Sequence, residues 1–188
     1  MQIAEAYRHV ATASHADVGR FYEPGQRLAV GKGCIYRNAR FSTYDDAAGR
    51  FLTAEGPAYV LTHECDVDQE NDRLFNSDVL VCPIIPLEAL VEEQHDALPG
   101  MQMVSFLSNL GARRISRLVY LPPTTGLHTY GSVMYLNHIT NAPVALLQAP
   151  EADKVCSLTS FGLRDVEYAI ENHLLRPKAE RLALGPAT

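Results

Sequence analysis

The sequence predicts a mainly β protein of the α+β class, and three observations carry that expectation. Residues 58–62 (Ala-Tyr-Val-Leu-Thr) and Val79 to Pro86 are short, apolar, β-prone runs joined by an acidic stretch, the pattern of a buried hairpin. Three more short apolar runs follow at 118–121, 132–136 and 144–147, and each reads as a strand. Helical spacing is confined to the chain start, to 87–111 and to a last stretch at about 160–176. With 188 residues, 47% of them hydrophobic, the expectation is a single domain over 1–188 with a real core.

The elements follow in order. Ile3, Ala6, Tyr7 and Val10 recur at helical spacing and predict a helix within 2–15. Tyr22-Glu23-Pro24-Gly25 reads as a turn, and Gln26 to Val30 as a first strand. Gly31-Lys32-Gly33 lacks the spacing of a phosphate-binding loop and reads as a plain turn. Residues 34–50 are polar and read as a loop or solvated hairpin. They carry Arg37, Asn38, Arg40, Tyr44 and Arg50, a basic and aromatic mixture of the kind that holds single-stranded nucleic acid. Leu87, Leu90 and Val91 mark one helix of an inserted segment at about 87–115. Met103, Phe106, Leu107 and Leu110 mark a second, broken from the first at Pro99-Gly100 and capped by Gly111. Ser160 is the predicted N-cap of the last helix, whose apolar face is Leu163, Val166, Ile170 and Leu174, with Pro177 as its stop.

Charge and cysteine usage narrow the function. A net charge of −6 argues against broad, sequence-blind nucleic-acid binding. No apolar run is long enough to span a bilayer, and Met1 to Ala6 lacks the basic and apolar parts of a signal peptide. No membrane association and a cytoplasmic location are therefore expected. Cys34, Cys65, Cys82 and Cys156 form no C-x-x-C pair, so reduced thiols are expected, with Cys82 and Cys156 in the core. No structural metal and no cofactor are predicted.

Chemistry concentrates after the 58–62 strand, in His63-Glu64-Cys65-Asp66-Val67-Asp68. Were the strand to continue, His63 and Cys65 would share one face and Asp66 and Asp68 the other. His63 is then a candidate general acid or base and Cys65 a candidate thiol. Asp66 and Asp68 offer an alternative metal-holding pair. Arg40, Arg113 and Arg114 are candidate substrate-binding cations for a phosphate. The stretch from Asp66 to Ser77 resembles a calcium loop only superficially, because Asn71 stands at the required glycine and Ser77 at the required glutamate. The bland alternative makes Asp66 a turn cap, Cys65 a small buried residue and His63 a carbonyl-bonded side chain.

Three runs then carry a resemblance: Gln26 to Val30; Gly56-Pro57-Ala58-Tyr59-Val60-Leu61-Thr62; and Val79-Leu80-Val81-Cys82-Pro83-Ile84. Together they resemble the opening of the PemK/MazF toxin family, with its Gly-Asp-Ile-Val, Arg-Pro-Ala-Leu-Val-Leu-Ser and Val-Val-Ala-Pro-Ile-Thr type strands. Ser132 to Thr140, Ser157-Leu158-Thr159 and Val166 to Ile170 fall in the same order as the family's second half. The resemblance covers about residues 24–175, apart from the insertion. It implies a small SH3-like antiparallel barrel at about 24–150 with helices attached, a homodimer, an antitoxin or other protein partner, and single-stranded RNA as substrate. The family's catalytic arginine and Ser/Thr are replaced here by Glu55-Gly56 and Ile85. Two expectations follow. One is an RNA-cleaving protein of a toxin–antitoxin or phage-defence system with a remodelled site at His63, Cys65 and Asp66. The other is a catalytically inactive barrel serving as a protein-binding or regulatory subunit. A thiol or metal enzyme acting on a small molecule is a third.

Overall fold

A computed structural model describes residues 1–14, 18–23, 30–68 and 77–175. The predicted strand at 26–30 lies, except for Val30, outside the described residues. So do the acidic connection from Gln69 onward, Pro177 and the tail. Among the described residues the chain is an α+β fold built on one antiparallel sheet of eight strands. The strands are β1 (Tyr22–Glu23), β2 (Cys34–Asp45), β3 (Arg50–Val60), β4 (Asp78–Pro86), β5 (Leu118–Leu121), β6 (Ser132–Tyr135), β7 (Thr140–Pro143) and β8 (Lys154–Leu158). Their spatial order is β1-β8-β2-β3-β4-β6-β5, with β7 also paired to β4. Among the described residues no ladder closes this sheet into a barrel. Two hydroxyl bonds reach across it: Tyr22 Oη of β1 donates to the Pro122 carbonyl just past β5, and Thr140 Oγ1 donates to the Ser42 carbonyl, each at 2.7 Å.

Period-two alternation sorts the sheet's side chains into two cores. Ile35 stands opposite both Cys156 and Tyr59, and Tyr59 opposite Cys82, so one row crosses β8, β2, β3 and β4. This row is buried together with Ile84, Met134 and Val166, the last on α7 (Ser160–Leu174). The other face buries Tyr36, Ala58, Val60, Val81 and Ala142. A third core lies under the helices α1 (Ile3–Ala13), α4 (Leu87–Gln94) and α5 (Met101–Gly111), which pack on Leu118, Tyr120 and Val133. Cys82 and Cys156 are core thiols, as their apolar neighbours predicted, and burial pushes each up to about 12.

Several local readings are corrected. Residues 34–45 form the longest described strand, one arm of a β2–β3 hairpin, as the solvated-hairpin reading expects and the loop reading does not. Ala39 and Phe41 of this arm are buried, and residues 42–44 are exposed. Residues 144–148 are helical (α6, Val144–Gln148), not a strand: Pro143 takes the N-cap, and Val144 and Leu147 are buried at helical spacing. The strand near that point is β7, and β8 was not anticipated. Thr159, not Ser160, caps α7, its Oγ1 accepting the Gly162 N–H at 3.2 Å. Leu174 is 58% exposed and lies off the buried face. Gly111 is the last helical residue of α5 and not its left-handed cap. A Cβ there would lie 2.3 Å from the Val10 carbonyl oxygen, so its role is to let α1 and α5 touch. The left-handed turn falls on Arg113, with φ of 58°.

Candidate functional site

β3 ends at Val60, so the predicted continuation of the strand through His63 and Cys65 does not occur. The chain leaves the sheet while still tied to β4. Leu61 N–H donates to the Leu80 carbonyl at 2.9 Å, and Thr62 Oγ1 accepts the Leu80 N–H at 2.8 Å. His63 then takes extended dihedrals and caps a single helical turn, α3 (Glu64–Val67). Its Nδ1 accepts the Cys65 N–H at 3.2 Å, and its carbonyl accepts the Asp66 N–H at 3.0 Å. His63 and Cys65 therefore occupy a cap and the second residue of a turn, and do not line one strand face. The expectation of a shared face is overturned by the local hydrogen bonding of the histidine, which competes with the sheet.

The cap fixes what the imidazole can do. Nδ1 must be unprotonated to accept an N–H, so neutral His63 carries its proton on Nε2. In that state the exposed nitrogen donates a hydrogen bond and accepts neither a hydrogen bond nor a proton. Glu64 Oε2 lies 3.7 Å from Nδ1, beyond hydrogen-bond length. His63, Glu64 and Cys65 are exposed, and Asp66 is half-buried. Cys65 is thus not the buried small residue of the bland alternative.

The turn is seated by Gly31. A Cβ at that position would lie 2.7 Å from the Glu64 Cβ, so the 31–33 segment and α3 meet backbone to backbone. Gly33 adopts φ of 87°, donates to the Val60 carbonyl at 3.1 Å and accepts from Leu158 N–H at 2.9 Å. Lys32 pairs with Glu167 of α7. The glycine–lysine segment is thus a turn that binds α3, β3, β8 and α7 together.

Two of the three candidate cations are committed elsewhere. Arg40 Nε donates to Glu55 Oε2 at 2.8 Å across the β2–β3 ribbon, and this bond raises the guanidinium above its ordinary value. Glu55 and Val60 are five residues apart on β3, about 16 Å at ~3.3 Å per residue, so this pair sits far along the strand from α3. Arg113 donates through Nε to Asp165 of α7 at 3.1 Å, and its other nitrogens reach Asp165 and the Tyr120 carbonyl. It is 11% exposed and acts as a clasp between the end of α5, β5 and α7. Arg114 follows on the exposed side of the same turn. For the Asp66–Asp68 alternative, no group of three or more His, Cys, Asp or Glu side chains stands in metal-holding geometry among the described residues.

Two further polar groupings carry no sequence signal. Arg37, at a bulge in β2, donates to the Gly126 carbonyl at 2.9 and 2.7 Å and pairs with Asp153, itself at φ of 51°. His128 Nδ1 lies 2.8 Å from Ser132 Oγ, and Ser132 is 1% exposed. Burial holds His128 below its ordinary value, opposed by the Glu88 carboxylate. His138 stacks on Tyr135 with ring centroids 5.2 Å apart. No helix among the described residues is long and apolar enough to cross a membrane. Comparison of the chain with protein-family models and with curated proteins gives no match.

Proposed function

We propose that this protein is a catalytically inactive PemK/MazF-like protein, with an SH3-like barrel as its ancestral plan, that serves as a protein-binding or regulatory subunit of a toxin–antitoxin or phage-defence type system. One observation carries the reading: two of the three candidate cations that RNA cleavage could use, Arg40 and Arg113, are held in structural pairs. Cleavage requires a proton acceptor, a proton donor and a cation for the developing phosphorane charge. Arg40 is neutralised by Glu55 and Arg113 is clasped by Asp165. His63 spends Nδ1 on its own turn. The Glu55-Gly56 and Ile85 replacements point the same way.

A second reading, cleavage through a remodelled site, is favoured by the outward Nε2 of His63 beside Cys65 and Asp66. Incubation of the purified chain with mixed single-stranded RNA, with and without EDTA, separates the two. The binding-module reading expects no cleavage above buffer in either condition. Cleavage that survives EDTA and is lost in His63→Ala would overturn it in favour of the nuclease, and EDTA-sensitive cleavage would move the argument to Asp66 and Asp68.

A further inference from the structure

A cleft runs between the start of α1, the wall of α4 and the start of α5. It consists of two hollows, of 450 and 200 Å³, that share Met1, Val91 and His95. The larger falls in the size range of sites that enclose a side chain or small molecule. The smaller is lined by Leu98 and Met103, and Ile3 lines the larger. Val91 and Met103 belong to the third core, so the cleft opens directly onto packed apolar side chains.

The wall above this floor is acidic. Glu88 and Glu92, about 6 Å apart along the α4 axis, and Asp96, two residues past its end, line the larger hollow at four-residue spacing. Neither hollow has a Lys or Arg in its lining; the basic groups they share are the amino terminus at Met1 and His95, the latter 3.4 Å from Asp96. Glu88 Oε2 is buried and without a hydrogen-bond partner among the described residues. Some of these choices are locally unfavourable. Like charges four apart repel, and Glu92 in the last turn of α4 opposes its dipole, whereas Glu88 in the first turn does not and Asp96 lies past the helix, 3.4 Å from His95. An unpartnered buried carboxylate oxygen carries a desolvation penalty. Local rules broken together along one groove mark a place where something other than stability is selected.

We infer that this cleft docks a basic amphipathic peptide segment of a partner protein, one apolar side chain entering between Val91, Leu98 and Met103 while Lys or Arg side chains meet Glu88, Glu92 and Asp96. The inference deepens the binding-module reading by naming the partner's chemistry. Charge complementarity selects the occupant. A polyanion is repelled by the wall, and a simple aliphatic amine has no branched side chain for the floor. A helical ligand with basic residues four apart repeats the spacing of the wall.

The test is fluorescence anisotropy of the full chain with a labelled synthetic peptide of about twelve residues, carrying Leu and Lys at helical spacing. Two control peptides replace every Leu by Ser or every Lys by Glu. Binding is expected for the Leu/Lys peptide and to weaken about tenfold or more for each control. The variant Glu92→Gln/Asp96→Asn should weaken binding by a similar factor. Asp45→Asn/Asp46→Asn, which removes the same charge at the far β2–β3 turn, should change it less than about twofold. Equal loss in both variants would reduce the effect to long-range attraction and overturn the proposal. So would absent binding, or full displacement by spermidine with no dependence on Leu, which would assign the cleft to small amines. RNA cleavage would sink the reading above without altering this titration, and an empty cleft would leave the cleavage result untouched.

Discussion

The α3 turn and the α4 cleft have similar compositions and opposite electrostatic settings. Each gathers carboxylates around one histidine: Glu64 and Asp66 with His63, and Glu92 and Asp96 with His95. In α3 the acids stand in the first turn, beside unsatisfied N–H groups, and the histidine caps those groups from the adjoining residue. Every polar choice there agrees with the local backbone. In α4 Glu88 also stands in the first turn, but Glu92 stands in the last turn with no basic residue there, and Asp96 follows just past the helix. The comparison teaches that a cluster of reactive residue types is weak evidence for a site. A cluster that opposes its own secondary structure is stronger evidence.

The largest expected effects come from the two glycines that frame these regions. Gly111→Ala puts a methyl 2.3 Å from the Val10 carbonyl and forces apart α1 and α5, which border the cleft. It should lower unfolding stability by about 2–3 kcal/mol in urea titration. Gly31→Ala collides with the Glu64 side-chain stem at 2.7 Å and should cost about 1–2 kcal/mol. A Gly31→Ala cost as small as that of an ordinary surface change would mean that α3 is not seated as described.

His63→Ala removes the α3 cap and should cost about 0.5–1 kcal/mol, the range of a lost N-cap. His63→Asn, whose side-chain oxygen can accept the same N–H, should restore most of that loss. Failure of Asn to rescue would break the comparison, because the histidine would then be present for something other than the cap. The smallest effect has the opposite sign. Glu92→Gln relieves repulsion within α4 and should stabilise the chain by about 0.3 kcal/mol, whereas Glu64→Gln in α3 should not stabilise it. A destabilising Glu92→Gln would remove the argument for the cleft.

Much of the frame was legible in the sequence. The 118–121 strand, the β3–β4 pairing and the α4–α5 break at Pro99-Gly100 follow from apolar runs and turn residues that local chemistry controls. The β2–β3 hairpin was legible only beside the loop alternative, since Arg37, Asn38 and the exposed residues 42–44 interrupt the alternation of β2. Nor was α6, where a four-residue apolar run fits a buried strand and a short helix equally well. At the site, the cluster at 63–66 could be found but its backbone could not, because a histidine cap and a strand continuation share the same residues. The commitments of Arg40 to Glu55 and of Arg113 to Asp165 span fifteen and fifty-two positions and have no local signature. The cleft wall could have been suspected from Glu88, Glu92 and Asp96 alone. Its apolar floor requires α1 and α5 to meet α4, which only the fold provides.

The central claim is that His63 is a structural cap whose Nδ1 is occupied, and the most direct measurement is its tautomer. Nitrogen-15 NMR of the imidazole, assigned by comparison with His63→Ala, distinguishes the two ring nitrogens in the neutral form. The account predicts a neutral ring protonated at Nε2, with Nδ1 in the unprotonated, hydrogen-bond-accepting state. A ring protonated at Nδ1, with Nε2 free to accept a proton, would contradict it and return His63 to the role of a general base.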